Sequence, residues 1–188
     1  MSLAKYNSKR NFDETTEPKG SVDKSDAPVF VVQRHEASRL HYDFRLELGG
    51  VLKSWAVPKG PTLYPADKRL AVLVEDHPIS YAKFKGTIPE GNYGAGRVEI
   101  WDKGTFHFVD EKSNQITEAE AKKWFKSGQL KFALKGKKLK GEFALVQLKN
   151  DETGKNWLLI KHKDKYATAA TYNSEDHIKA PKKSNKSV

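Results

Sequence analysis

The sequence contains no cysteine. Disulfides, thiolate zinc sites, iron–sulfur clusters and cysteine nucleophiles are therefore excluded, and any metal must be held by His, Asp or Glu. No apolar run approaches the ~20 residues that a membrane-crossing helix needs. The N-terminus carries no apolar core of a secretory signal. The expectation is a cytoplasmic protein with no membrane partner. Acidic residues are too few to balance the basic ones, 24 against 34, which leaves a net charge of +10 over 188 residues. A polyanion, nucleic acid foremost, suits such a surface. Lysine far outnumbers arginine, which favours loose phosphate contact over bidentate base reading. The glycine-rich stretch "IPEGNYGAGRVEI" lacks the Gly-Lys-Ser/Thr of a P-loop and does not open a helix. Gly91, Gly94 and Gly96 read as turn and close-packing glycines. "WLLIKHKD" is similar to the closing lysine motif of nucleotidyl transferases, but no Lys-x-Asp-Gly motif precedes it, so ligase chemistry is discounted. There is no internal repeat.

What remains is enough for one ordered domain with polar ends: 37% of residues are hydrophobic and 11% aromatic. Residues 1–27 read as a polar N-terminal arm without periodicity. Residues 168–188 read as a flexible, lysine-rich tail. Between them, residues 28–167 alternate as strands do. Strands are expected over residues 29–35, 40–48, 51–58, 69–77, 130–136, 141–149 and 156–164. Residues 96–102 and 105–110 are expected to form a hairpin about "DKG". Gly49-Gly50 is a two-residue turn of the kind that joins antiparallel strands. One helix is expected from Thr117, with a Thr117/Glu120 capping box, Ala121, Trp124 and Phe125 on one face, and Gly128 at the stop. The reading is mainly β: a small barrel or sandwich of about eight strands with one or two short helices. "ALKGKKLKG" places Lys131, Lys135, Lys137, Lys138 and Lys140 about a turn, equally suited to a solvated hairpin and to a nucleic-acid backbone.

The segment "RHEASRLHYDFRLE" carries the chemistry. A strand sends alternate side chains to opposite faces, so His41, Asp43 and Arg45 share one face and Tyr42, Phe44, Leu46 and Leu48 the other. Counting outward from the Gly49-Gly50 turn sets Phe44 opposite Trp55, Tyr42 opposite Val57, Arg45 opposite Ser54 and Asp43 opposite Ala56. The small partners leave room above the charged residues. Two imidazoles and a carboxylate suit a divalent transition metal with open positions; His35, near the end of the preceding strand, folds back as the third ligand. In "KRLAVLVEDHPISY", Arg69, Glu75 and His77 share one parity, while Leu70, Val72 and Val74 take the other. Lys59 and Tyr81 are further donors near strand ends. Metal, guanidinium, lysine, histidine and tyrosine together describe a phosphate site.

The blocks "QRHEASRLHYDFRLELGGVLKSWAVPKGP", "RLAVLVEDHPISYAKFKGTIPEGNYGAGRVEIWDKGTF" and "LKGEFALVQL…NWLLIKHKD" closely resemble the 3′-phosphoesterase domain of bacterial ligase D, of the non-homologous end-joining machinery. The likeness runs from about Tyr6 to Tyr166. It implies a small β-barrel with a groove for a manganese ion; Co2+ and Zn2+ are alternatives that the same ligands accept. It implies two-step healing of DNA or DNA/RNA primer–template 3′ ends: removal of a terminal ribonucleoside, then of the 3′-phosphate. The family's metal ligands fall on His35, His41 and Asp43. Its phosphate-site residues fall on Arg45, His77, Arg69, Lys59 and Tyr81, and Glu75 also falls on a family position. In the arm, Arg10 and Glu17 match, whereas Asn11 stands where the family has Asp, which points to a weaker ribonucleotide step. The family's polymerase and ligase modules are not in this sequence, which looks like a stand-alone version or an excised domain. It would act as a monomer, with a separate DNA ligase, polymerase or Ku as partner. Two other readings compete: a non-catalytic DNA-end-binding module with a degenerate metal site, and a dioxygenase-like barrel. The intact ligand set counts against the first. The surrounding cations count against the second.

Overall fold

Alternation of apolar and polar residues is the organising feature, and the computed structural model, which describes residues 3–178, converts it into nine strands. They are β1 (Val29–Glu36), β2 (Leu40–Glu47), β3 (Leu52–Val57), β4 (Arg69–Leu73), β5 (Gly86–Ile88), β6 (Gly96–Phe108), β7 (Gln129–Lys135), β8 (Lys140–Gln147) and β9 (Asn156–Lys161). All pairings are antiparallel, in the order β1-β2-β3-β4-β9-β8-β7-β6, and β6 returns to β1. Eight strands thus close a barrel, and β5 is an extra strand on the free edge of β6. Closure removes the unpaired edges that an open sheet would expose.

The barrel interior is filled from one parity of each strand. Tyr42, Phe44 and Leu46 of β2 meet Trp55 and Val57 of β3, with Phe132, Phe143, Leu145, Trp157 and Leu159 opposite. The Gly49-Gly50 turn has φ of 69° and 79°, the doubly left-handed backbone that a two-residue hairpin requires. It sets Phe44↔Trp55, Tyr42↔Val57, Arg45↔Ser54 and Asp43↔Ala56, the register counted from sequence. Thr117 caps α2 (Glu118–Lys126) with both bonds of the capping box, and Gly128 follows with φ 85°. Phe125 stacks on Trp157 at 5.5 Å and plugs one end of the barrel.

Three expectations are corrected. Residues 96–110 do not form a hairpin; β6 runs straight through "DKG" for 13 residues. Asp102 is spent elsewhere: its carboxylate accepts the backbone N–H groups of Lys137, Lys138 and Leu139. A bulge in β6, where Val32 pairs with Asp102 and Gln33 with Ile100, lets Trp101 join the barrel core while Val98 packs outside it. Second, β4 stops at Leu73 rather than His77. The chain leaves the sheet and returns as a single bridge, His77 to Leu52.

Third, the arm and tail are not unpatterned loops. A short helix, α1 (Ala4–Ser8), buries Tyr6 completely. With Leu3, Leu52, Tyr81, Phe84, Ile88 and Val98, Tyr6 forms a second apolar cluster on the outer face of the barrel. In the tail, Ser174 is buried and donates to the Pro61 carbonyl at 2.6 Å, while Trp101 Nε1 donates to the Ser174 carbonyl at 3.1 Å. The lysine-rich stretch 179–188 lies outside the described residues.

Candidate metal centre

The outer face of β1 and β2 carries Gln33, His35, His41, Asp43 and Arg45. His35 and His41 are direct cross-strand partners, as are Gln33 and Asp43. The imidazoles lie 4.7 Å apart, and one ligand atom from each of His35, His41 and Asp43 can be chosen so that all three fall within 4.8 Å of one another. Each ring is held by its far nitrogen. His35 Nε2 lies 2.9 Å from the Gly94 carbonyl, and His41 Nδ1 lies 2.9 Å from the Arg39 carbonyl. Those nitrogens carry the protons, so the lone pairs of His35 Nδ1 and His41 Nε2 turn inward. They face Asp43 Oδ2 at 3.5 Å and Oδ1 at 3.6 Å. Backbone carbonyls that fix the tautomer of ligand histidines are the usual outer support of a metal site. The donor set fits a divalent transition metal.

Asp43 is buried, which alone would raise its pKa. Arg45, 3.0 Å from Oδ2, holds the carboxyl well below the usual range instead. Arg45 Nε donates to Gln33 Oε1 at 2.7 Å. Gln33 in turn donates to the Tyr81 and Phe84 carbonyls, so this fully buried amide fixes the guanidinium. His77 sits between two guanidinium groups: Arg45 Nη1 is 3.0 Å from Nδ1, and Arg10 Nη2 is 3.2 Å from Nε2. Burial first, then Arg45 and Arg10, push its pKa well below the ordinary value, so the imidazole is neutral. One tautomer satisfies two of its contacts. Nδ1–H donates to the Glu75 carbonyl at 2.9 Å and Nε2 accepts from Arg10. Arg45 Nη1 then has no acceptor on His77 and is available to an anionic oxygen.

The arm supplies the remaining wall. Arg10 Nε donates to Glu17 Oε1 at 2.9 Å, and Arg10 Nη1 lies 3.4 Å from Glu75 Oε1. Tyr81 donates its hydroxyl to the same Glu17 oxygen at 2.9 Å, and burial pushes its pKa well above the usual value. Glu75 also meets Lys9 at 3.3 Å; against burial, its own backbone N–H, then Lys9 and Arg10, lower its pKa. Arg10, Glu75, His77 and Tyr81, with His35, His41, Asp43 and Arg45, line a cavity of about 260 Å³ open to solvent.

Nine of the eleven expected site residues therefore meet: His35, His41, Asp43, Arg45, Glu75, His77, Tyr81, Arg10 and Glu17. Lys59 and Arg69 do not. They line a second recess at the barrel end, with Tyr42, Asp67, Tyr172 and Glu175. There Arg69 Nη2 donates to Asp67 and to the Tyr172 carbonyl. The shared parity of Arg69 and His77 breaks because β4 ends between them. Asn11 is exposed, and its side chain accepts only the Asp13 backbone N–H at 3.3 Å. Sequence reasoning missed Gln33, Ser54, Lys9 and Tyr6. Gln33 has the parity of His35, and Ser54 was read only as a small partner of Arg45. Nothing in the arm's composition marks Tyr6 or Lys9.

Fold and cluster define a class: a closed antiparallel barrel with a two-histidine, one-carboxylate cluster on its outer face, backed by guanidinium groups. A family model for the DNA ligase D 3′-phosphoesterase domain matches residues 33–147. The multifunctional non-homologous end joining protein LigD of Pseudomonas aeruginosa is 49% identical over 165 residues, which is 86% of this chain and 19% of that protein. Its counterpart in Mycolicibacterium smegmatis is 43% identical over 169 residues, covering 86% and 21%. The multifunctional non-homologous end joining DNA repair protein LigD of Mycobacterium tuberculosis is 39% identical over 164 residues, covering 86% and 20%. The chain belongs to the DNA ligase D 3′-phosphoesterase domain family, and it spans about a fifth of the length of these relatives.

Proposed function

We propose that the protein is a manganese-dependent phosphoesterase that heals DNA 3′ ends in two hydrolytic steps. In the first, water adds to the phosphorus, the bond to the 5′ oxygen of a terminal ribonucleoside breaks, and that oxygen takes up a proton. In the second, water displaces the 3′ oxygen and releases inorganic phosphate, leaving a 3′-hydroxyl for a ligase or polymerase. The observation that carries the reading is the convergence of two backbone-anchored imidazoles on Asp43, beside guanidinium groups that flank a neutral histidine.

His35, His41 and Asp43 would hold the metal, which supplies Lewis acidity and a more acidic bound water. Arg45 Nη1 and Arg10 receive the non-bridging oxygens, where charge develops in the transition state. His77 enters the cycle neutral; the incoming phosphate offsets its guanidinium neighbours and raises its proton affinity, which lets it donate to an oxygen of the phosphate or to the leaving group. Glu17 and Glu75 orient Arg10, and Tyr81 braces Glu17. Lys59 and Arg69 contact a phosphate further along a substrate that extends past β2, where His41 lines one cavity and Leu40 the next.

The test uses two 5′-labelled primer–templates, one ending in a 3′ ribonucleotide and one in a 3′-phosphate. Both are incubated with manganese, with and without chelator. Conversion of both, lost on chelation, is the expected result. No conversion of either would replace this reading with a DNA-end-binding module.

A further inference from the structure

The glycine-rich segment between β5 and β6 enters the site through the Gly94 carbonyl, yet it also carries an aromatic ring to the cavity mouth. Tyr93 and Tyr81 are the tyrosines of the cavity wall. Tyr81 is 2% exposed and Tyr93 is 47% exposed. The backbone turns at Gly91 and Gly94, φ 87° and 78°, hold Tyr93 out from the wall. Polar groups meet it on several sides. The hydroxyl lies 3.4 Å from Glu75 Oε2, Lys9 Nζ lies 4.2 Å from the ring centroid, and Arg10 Cζ lies 5.7 Å from it. The ring faces solvent, its polar tip lies on Glu75, and it stands one residue from the carbonyl that anchors His35.

We propose that Tyr93 is the stacking platform for the base of the 3′-terminal nucleoside that departs in the first step; this rests on the phosphoesterase reading. A phosphate placed between the ligand cluster and Arg45 puts the departing nucleoside at the cavity mouth. Every base offers a π-face, so stacking accepts any of them. Among the described residues, no Asn or Gln lines the cavity to read a base edge. The second step has no nucleoside on that side of the phosphorus, so the ring matters chiefly to the first.

The experiment compares wild type, Tyr93→Ala and Tyr93→Phe with manganese on three labelled primer–templates: a 3′-terminal ribonucleoside, the same end with an abasic ribose, and a 3′-phosphate. Tyr93→Ala should lower cleavage of the ribonucleoside end by roughly ten-fold or more, the scale of one lost base stack, and phosphate removal by much less. Tyr93→Phe, which keeps the ring and its Lys9 contact but loses the Glu75 contact, should keep most of the wild-type rate on all three. On the abasic end wild type should fall to the level of Tyr93→Ala, which loses nothing further. Equal loss on the three substrates, no loss at all, or a Tyr93→Phe protein as impaired as Tyr93→Ala would overturn the inference. Absence of wild-type turnover on both the ribonucleoside and phosphate ends would overturn the phosphoesterase reading and this inference with it.

Discussion

At Asp43 two opposing forces meet: burial favours the neutral acid, and Arg45 favours the anion. Asp43→Asn keeps the shape and removes the charge. Manganese affinity, measured by calorimetry, should fall by more than the roughly 10–100-fold that loss of an outer partner costs. His41→Ala should abolish both hydrolytic steps. At His77 the forces act together, and pH dependence follows. Its pKa in the folded protein lies well below the ordinary 6.5. Above 6.5 the group is neutral in both states and costs nothing. As pH falls below 6.5 the unfolded chain takes up a proton that the folded one refuses, so stability declines until the folded pKa is reached. Urea midpoints measured from pH 8 to pH 5 should fall for wild type, and His77→Gln should flatten the slope. The charge inventory is also informative. Lys9, Arg10 and Arg45 are balanced by Glu17, Asp43 and Glu75, three against three. A surplus for phosphate therefore needs a bound divalent ion, and inorganic phosphate should bind measurably with manganese present and far more weakly after chelation.

Elements were legible to the extent that their own residues specify them. The β2–β3 hairpin was readable to the residue because alternation and a Gly-Gly turn act within 20 positions. The same holds for α2, whose cap is local; Thr117→Ala should cost about 1 kcal/mol in urea unfolding and leave turnover unchanged. What failed was decided at long range. The expected turn at "DKG" gives way because Asp102 caps backbone groups 35 to 37 residues onward. Strand β5 has three residues and exists only as an addition to β6. The convergence of His35, His41 and Asp43 was legible because they sit in one hairpin. The separation of Lys59 and Arg69 from His77 was not, since it depends on where β4 lets go of the sheet. Gly96 tests the seam: φ is 138°, and an added Cβ would lie 2.2 Å from the Glu36 carbonyl, next to His35. Gly96→Ala should lower the unfolding midpoint more than Thr117→Ala does and weaken manganese binding as well.

Over the whole molecule, the arm is the least predictable part and among the most consequential. It covers the second apolar cluster and delivers Arg10 and Glu17. Deleting residues 1–20 should lower the unfolding midpoint and remove turnover, while manganese binding persists, because all three ligands stand on the barrel. Binding to a primer–template should weaken steeply with salt, as expected of a basic protein that neutralises phosphates. The tail is tied through Ser174 and the Arg34–Glu175 pair.

The seam between β1 and β6 sets an order of events during synthesis. The three ligands lie within nine consecutive positions, 35 to 43, so they leave the ribosome almost together. The carbonyl that orients His35 and the strand that pairs with the outer side of β1 follow more than fifty residues later, at Gly94 and in β6. A nascent chain therefore displays the candidate ligands well before it can aim them, and the barrel shuts later still, once β9 has been made and pairs with β4.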